Sequence, residues 1–325
     1  MSSATLEFTC AGCQHRDHAP RAVIDRRRGG LPFDLVQCPH CQLVQQFPRS
    51  SPAEWSRQYR EDYYVFQESD ERRWARAAQQ YVVHILPIEA EQQGGRLLDI
   101  GCARGHFSAL AARRGWRVTG LDVSAEAVSE ASQRFGLDLR AGTLARHWAT
   151  MPRYDVAFLG DVIEHVLDPA ALLREVRSVL SPGGRIILDT PNWGGRWRRW
   201  GGARWLGLNP FHINLFTADS LSPMLVSSGF VEVRATTYTH YLYETWGRRP
   251  EVQRWVEKLP KFLAWRINRF LQRGAGRGTW AALRAHRPST IDAASAFLSA
   301  QSGSNLADKC LQPQGDNLIV CGQRG

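Results

Sequence analysis

Residues 97–107, Leu97-Leu98-Asp99-Ile100-Gly101-Cys102-Ala103-Arg104-Gly105-His106-Phe107, constrain the fold of this 325-residue chain more than any other stretch. Leu97 and Leu98 follow a Gly-Gly pair and read as the start of a buried strand. Gly101 and Gly105 predict a tight turn, and an Ala/Leu-rich helix is expected from about residue 107 to residue 114. Strand, glycine turn and helix in this order leave backbone N–H groups at a helix N-terminus on the edge of a parallel sheet, which is a ligand site. The spacing is Asp-x-Gly-x-x-x-Gly rather than the Gly-x-Gly-x-x-Gly of a dinucleotide-binding turn. Seventeen residues beyond Gly105, Arg117-Val118-Thr119-Gly120-Leu121-Asp122 reads as a second strand ending in a carboxylate. An acid there can accept both hydroxyls of a ribose.

Further segments follow in order. Gly142-Thr143 succeeds a third strand. Tyr154-Asp155-Val156-Ala157-Phe158-Leu159-Gly160-Asp161-Val162-Ile163-Glu164-His165 reads as a fourth strand and its loop, and Leu180-Ser181-Pro182-Gly183-Gly184-Arg185 as the turn into a fifth. Asp189-Thr190-Pro191-Asn192 and Phe211-His212-Ile213-Asn214-Leu215-Phe216-Thr217 are further loops. With these motifs the chain resembles the class I S-adenosylmethionine (SAM)-dependent methyltransferases over residues 95–230 and again at 316–324. The last two loops resemble those of the ubiquinone-type O-methyltransferase branch. A dehydrogenase reading conflicts with the glycine spacing. A sheet without a ligand leaves Asp122 and Glu164-His165 unexplained.

The resemblance implies a doubly wound α/β fold with a seven-stranded sheet, mostly parallel with the last strand antiparallel. It implies SAM as cofactor. Asp99, Gly101, Cys102 and Gly105 would surround its methionine end, and Asp122 would hold the ribose. Val123 would lie against the adenine, Gly142 and Thr143 along its edge, and Gly160 and Asp161 towards the methyl group. Thr143 departs from the acid that many relatives carry there. Arg104 departs from a small residue. Cys102 reads as a packing residue, because no basic partner would activate its thiol. Glu164 and His165 follow the fourth strand, beside the reacting centre in similar enzymes, and His212 is the other candidate base. Methyl transfer to oxygen needs in-line placement and removal of one proton, which suits histidine. Glu164-His165 could instead cap the next helix. Asp161-x-x-Glu164-His165 also resembles an acid-x-x-Glu-His arrangement linked to divalent metal in some ubiquinone-type enzymes, with Asp161 in place of the longer glutamate.

The N-terminus carries a second motif. Cys10-x-x-Cys13 and Cys38-x-x-Cys41, with 24 residues between them, place four thiolates around one tetrahedral ion. A structural zinc ribbon is expected. Four protein ligands close the site, and the binding energy would fold a segment too small for its own core.

The formal charge is +10, and lysine occurs only three times, so arginine carries nearly all the positive charge. The excess sits in two stretches. Residues 193–205 interleave tryptophans with four arginines, and residues 248–287 hold eleven basic residues against Glu251 and Glu257. Such surfaces attract anionic lipid, nucleic acid or phosphorylated substrates. The tryptophan–arginine stretch reads as a pocket lid with membrane contact, against stacking on nucleic acid or simple burial. Apolar residues at helical spacing over 252–271 predict a basic amphipathic insertion, kinked at Pro260, that lies on a membrane or packs on the domain.

Five parts follow: a zinc ribbon over 1–47, a helical connector or lid over 48–94, a SAM-binding core over 95–240, a basic helical insertion over 241–314 and a final core strand over 315–325. The connector holds Trp55, Tyr59, Tyr63, Tyr64 and Phe66, which read either as a lid or as packing, and then a helix over 71–86 ended by Pro87. No run of 18 apolar residues and no signal-peptide pattern is found, so a cytoplasmic protein with peripheral contact to anionic membrane is expected. The expected activity is O-methylation of a small-molecule, lipid-like or sugar hydroxyl. The alternatives are a non-catalytic SAM-binding scaffold at a membrane and an RNA methyltransferase. The Asp189-Thr190-Pro191-Asn192 loop disfavours nucleic acid, since base-nitrogen enzymes use an Asn-Pro-Pro-Tyr type of loop.

Overall fold

Thirteen strands and ten helices were traced in a computed structural model, which describes residues 7–17, 22–24, 33–51, 53–55, 57, 68–92, 94–202, 205, 207–239, 288–301 and 306–325. The strands are β1 (Phe8–Thr9), β2 (Arg16–Asp17), β3 (Ala22–Ile24), β4 (Asp34–Gln37), β5 (Val44–Phe47), β6 (Gly95–Ile100), β7 (Trp116–Asp122), β8 (Asp138–Ala141), β9 (Tyr154–Gly160), β10 (Leu180–Pro191), β11 (Asn214–Leu215), β12 (Phe230–Tyr238) and β13 (Asn317–Arg324). The helices are α1 (Asp70–His84), α2 (Leu86–Glu89), α3 (His106–Arg113), α4 (Ala125–Phe135), α5 (Leu144–His147), α6 (Pro169–Val179), α7 (Arg196–Gly201), α8 (Ala218–Ser227), α9 (Ile291–Gln301) and α10 (Leu306–Cys310).

The main sheet has seven strands in the order β12-β13-β10-β9-β6-β7-β8. β10, β9, β6, β7 and β8 run parallel, and β13 enters antiparallel between β10 and β12. This is the doubly wound sheet with an antiparallel last strand that the family resemblance implies. β6, β9 and β10 are buried on both faces, which is why they read as near-continuous apolar runs. One face is covered by α1, α3 and α9, through Trp74, Tyr81, Phe107 and Phe297 against Phe158 and Ile187. The other face meets α6 and α8, through Leu173, Val176, Leu221 and Leu225. Phe8, Val36 and Leu43 of the cysteine-bearing segment join that second layer.

Local chemistry sets the helix ends. Asp168 caps α6 by accepting from the Ala171 N–H, with Pro169 in the first turn where no N–H is needed. Thr217 and Ser220 close a reciprocal box on α8. α1 ends at His84, and Pro87 sits in the first turn of the separate helix α2 rather than simply ending the chain's helical run. α3 begins one residue before the expected start, at His106. β12 runs to Tyr238, where it pairs with Asn317 at the start of β13, while Phe230 pairs with Arg324 at the other end.

The N-terminal segment forms a β1–β2 hairpin and a second sheet in the order β11-β5-β4-β3. Three of those strands precede residue 48, but β11 comes from the loop that carries His212. The aromatic residues Tyr59, Tyr63, Tyr64 and Phe66 and the basic amphipathic stretch over 252–271 lie outside the described residues. Of the insertion, α9 and α10 are described. No helix among the described residues is long and apolar enough to cross a membrane.

Candidate active site

Gly101 ends β6 with φ +81°, and its N–H donates to Leu121 O across the sheet (2.7 Å). A Cβ at Gly101 would meet Val162 Cγ2 at 2.3 Å, so only glycine lets the turn meet the loop after β9 this closely. Gly105, at φ +72°, is the N-cap of α3. Asp122, at the end of β7, accepts from Ala103 N–H (2.8 Å) with one oxygen and from Ser124 N–H (2.9 Å) with the other. The carboxylate therefore locks the glycine turn to the second strand. A carboxylate has about four acceptor directions, so a group fixed this way still has the chemistry to take hydroxyl donors. Val123 follows it, half exposed, and Gly142 donates its N–H to Asp122 O (2.8 Å), with Thr143 next at the start of α5. Asp99 lies behind the turn, accepting from Ser108 Oγ (2.5 Å). Burial, with the Asp122 charge adding, pushes its carboxyl up to about 7. Cys102 is buried against Gly120, and burial raises its thiol, so it packs rather than reacts.

Gly160 and Asp161 end β9. Gly160 faces Gln80 of α1, whose Nε2 would lie 3.0 Å from a Cβ there. Asp161 takes φ +55°, a conformation Asp tolerates better than most residues, and its N–H donates to Asp189 O (2.8 Å). Its carboxyl is pushed up to about 7 by burial and by the Asp189 charge, with Arg76 opposing.

Glu164 and His165 are buried in a single helical turn (Ile163–His165). Glu164 Oε2 accepts from Thr190 Oγ1 (2.9 Å), while Oε1, also buried, has no hydrogen-bond partner among the described residues. Burial first, and then the Asp161 charge, hold its carboxyl well above the usual range. His165 Nδ1 donates to Phe211 O (2.7 Å), and His212 Nδ1 donates to Gly207 O (2.8 Å). A carbonyl can only accept, so both neutral rings carry their proton on Nδ1 and present Nε2 as an acceptor. The rings meet edge to face with centroids 4.7 Å apart, and His165 Nε2 lies 4.0 Å from Glu164 Oε1. Burial lowers both imidazoles, His212 to about 4, so both are neutral at pH 7.

Glu164, His165 and His212 each offer a ligand atom within 4.8 Å of one another. Two neutral Nε2 atoms, each ring fixed through Nδ1 by a backbone carbonyl, and an orphaned carboxylate oxygen make a donor set suited to a divalent cation. Asp161 is not part of this set, although the linear motif pointed to it.

Several residues around this cluster escaped the sequence. Asp189 is buried and accepts from His84 (2.9 Å), Tyr238 Oη (2.5 Å) and Asn317 Nδ2 (2.8 Å). Burial pushes the Asp189 carboxyl up, but the His84 charge and these three hydrogen bonds outweigh it and hold it below the ordinary value. Asn214 Nδ2 donates to Val166 O (2.7 Å), and Arg49 donates to Asn214 Oδ1 (3.3 Å) and Leu167 O (2.9 Å). Only the spatial pairing of loops reveals these ties, and no linear pattern encodes it.

Cys10, Cys13, Cys38 and Cys41 bring their Sγ atoms within 4.8 Å of one another, with Cys10–Cys41 at 3.4 Å and Cys13–Cys38 at 3.6 Å. A tetrahedron with metal–sulfur bonds of about 2.3 Å has edges of roughly 3.8 Å, so the thiols fit one zinc ion. The two hooks match. Gln14 (φ +60°) and Gln42 (φ +62°) each return an N–H to Cys10 O and Cys38 O at 3.0 Å. The Trp193 and Trp205 side chains are buried with Phe33, Leu35, Val44 and Leu215, so these two indoles face the second sheet and not a surface. Arg198 stacks its guanidinium 3.6 Å over Trp193.

The glycine turn, the clamped acid and the buried loop after the fourth strand occur together at the carboxyl ends of parallel strands. A methyltransferase-domain family matches residues 66–235, more than half of the chain. The chain belongs to that family. It is 39% identical over 105 residues to a ubiquinone biosynthesis O-methyltransferase of Aeromonas salmonicida, covering 30% of this chain and 44% of that one. It is 34% identical over 138 residues to a probable S-adenosylmethionine-dependent methyltransferase of Mycolicibacterium smegmatis, covering 42% and 52%. The chain thus spans about half the length of the curated relatives it matches. Among solved structures, a SAM-dependent methyltransferase from Archaeoglobus fulgidus aligns over 81% of this chain and all of that one, with 18% identity and a TM-score of 0.48.

Proposed function

We propose that this methyltransferase-family protein transfers a methyl group from SAM to the hydroxyl oxygen of a small-molecule, lipid-like or sugar acceptor. The observation that carries the reading is the juxtaposition at Gly101 and Val162. There the glycine turn clamped by Asp122 abuts the loop that holds Glu164 and His165, so a cofactor site and a proton-accepting cluster adjoin. Bound SAM would supply an electrophilic methyl on a sulfonium centre. The Gly101–Gly105 turn would hold the methionine end, Asp122 the ribose, and Val123, Gly142 and Thr143 the adenine. Gly160 and Asp161 would border the methyl group. His165 and His212 are neutral and Nε2-accepting, so either can take the acceptor's proton while burial excludes water. Oxygen is favoured as the acceptor atom because relatives named for O-methylation match about 30% of this chain.

The orphaned Glu164 oxygen supports a second reading. In this second reading Glu164, His165 and His212 would instead hold a divalent cation through the same Nε2 atoms and the carboxylate; the cation would supply Lewis-acid polarisation of the acceptor hydroxyl in place of proton uptake by the imidazoles. Zinc at the four cysteines would be structural, because the protein fills all four positions.

The test is tritium transfer from labelled SAM into three pools: lipid extract, sugar and nucleotide-sugar extract, and total RNA. Label in the lipid or sugar pool that is lost in His165→Ala, by about 100-fold or more, is expected. Label confined to RNA, or tight SAM binding with no label anywhere, would overturn the reading in favour of an RNA enzyme or a scaffold.

A further inference from the structure

Gln45 and Gln46 are neighbours in β5, so their side chains leave opposite faces of the strand. Both are buried. Gln45 reaches back to the first cysteine hook: its Oε1 accepts from Ala11 N–H (2.9 Å) and its Nε2 donates to Thr9 O (3.0 Å). Gln46 reaches the other way. Its backbone N–H donates to Ile213 O (3.1 Å), and its Nε2 faces Pro210 O (3.0 Å), His212 O (3.2 Å) and Asn209 O (3.4 Å). The loop it grips contains His212, and the Phe211 carbonyl of that loop fixes the His165 ring. One primary amide thus meets three carbonyls of the segment on which both imidazoles depend.

We infer that Gln46 is a positioning residue for the methyl-acceptor end of the site, and that through β5 the four-cysteine module anchors the loop carrying His212. Three carbonyls converging on one partly buried place need donors, because a carbonyl shielded from water without one is costly. The Gln46 amide supplies two N–H bonds from a strand that the Gln45 contacts and the cysteine hook hold still. A displacement of about 1 Å at a reacting group can lower a rate about 100-fold, so the grip has catalytic weight without touching substrate. The inference rests on the assignment of His212 to the acceptor end.

The experiment uses the full chain with Gln46→Ala and Gln46→Glu, each in the wild-type and His212→Ala backgrounds. Gln46→Glu keeps the volume, removes the donors and sets a carboxylate against three carbonyls. The readouts are SAM affinity by calorimetry, zinc per chain, hydrogen exchange over residues 207–216, and tritium transfer into the pool that the wild-type protein labels. SAM affinity within about 2-fold and unchanged zinc are expected. Faster exchange over 207–216 and a loss of turnover of about 10- to 100-fold are also expected, with Gln46→Glu at least as impaired as Gln46→Ala. In the His212→Ala background, Gln46→Ala should add almost nothing, as coupled residues do. Equal losses in both backgrounds would mark a merely structural residue and overturn the inference, as would a Gln46→Glu variant with wild-type turnover. Full turnover in His212→Ala would instead overturn the assignment of His212 to the acceptor end, on which the inference rests, and leave the methyl-transfer reading to His165. Full turnover in Gln46→Ala, beside a dead His212→Ala, would overturn the inference alone.

Discussion

The proposed cofactor and acceptor ends of the site are built in different ways. The cofactor end of that proposal comes mainly from one run of chain, residues 97–143, and mostly from backbone: glycines with positive φ, a helix N-terminus and one carboxylate locked onto two N–H groups. The acceptor end is assembled from five places. Glu164 and His165 follow β9, His212 precedes β11, Asp189 ends β10, His84 ends α1, and Gln46 and Arg49 come from the N-terminal segment. Side chains there hold carbonyls and other side chains, usually over long separations in sequence. A backbone-built end changes little when single side chains change. An end built from side chains can be re-shaped one residue at a time, which suits the part of the site that chooses the acceptor.

Metal removal should break this contrast most sharply. Cys10→Ser, or withdrawal of the proposed zinc by a strong chelator, unties the first hook that Gln45 ties to β5 and therefore the His212 loop. Turnover should fall about 100-fold or more while SAM affinity changes only a few-fold. Calorimetry beside the tritium assay checks it; parallel loss of both would mean the two ends are not separable. Asp122→Ala should act in the opposite sense. It removes the clamp on Ala103 and Ser124 and the proposed ribose acceptor, and charged hydrogen bonds are worth about 1.5–3 kcal/mol each. SAM affinity should drop about 10- to 100-fold. Exchange over the His212 loop should stay as in the wild-type protein, and a change there would tie the two ends together.

The same contrast governs what the sequence made legible. The glycine turn could be read because the turn requires its glycines, and the seven-stranded sheet with an antiparallel β13 could be expected only through the family resemblance that the ordered motifs carry. The cysteine hooks could be read because metal geometry fixes their spacing. The partners of those residues could not. Nothing in Val44-Gln45-Gln46-Phe47 says that one glutamine serves the hook and the next a loop more than 160 residues away. His84 sits at the end of an amphipathic helix and looks like an ordinary C-terminal cation until β10 places Asp189 against it. The tryptophan–arginine stretch left a membrane-contacting lid and simple burial both open, because composition records residue type and not direction. The second sheet covers Trp193 and Trp205, and which surface would cover them could not be read without β11.

The smallest expected effect sharpens the comparison through acid stability, because a buried carboxylate at each end is shifted in opposite directions. Asp99, behind the cofactor turn, is raised to about 7 by burial and by Asp122. An unfolded chain ionises it near 4, so the folded state loses stability as pH rises from about 4 to about 7 and loses no more above that. Asp189, at the acceptor end, is held below its ordinary value by the His84 charge and three donors against the push of burial. Its contribution is full above about pH 4 and is lost as pH falls through the lowered value. Asp99→Asn should therefore flatten the slope between pH 4 and 7 and leave neutral stability equal or higher. Asp189→Asn should lower neutral stability by about 1–3 kcal/mol and flatten the slope on the acid side. Urea midpoints from pH 3 to 8 on the three proteins decide it. The same sign of change in both variants would show that the two carboxylates share one environment, and the contrast between the ends would fail at its most local point.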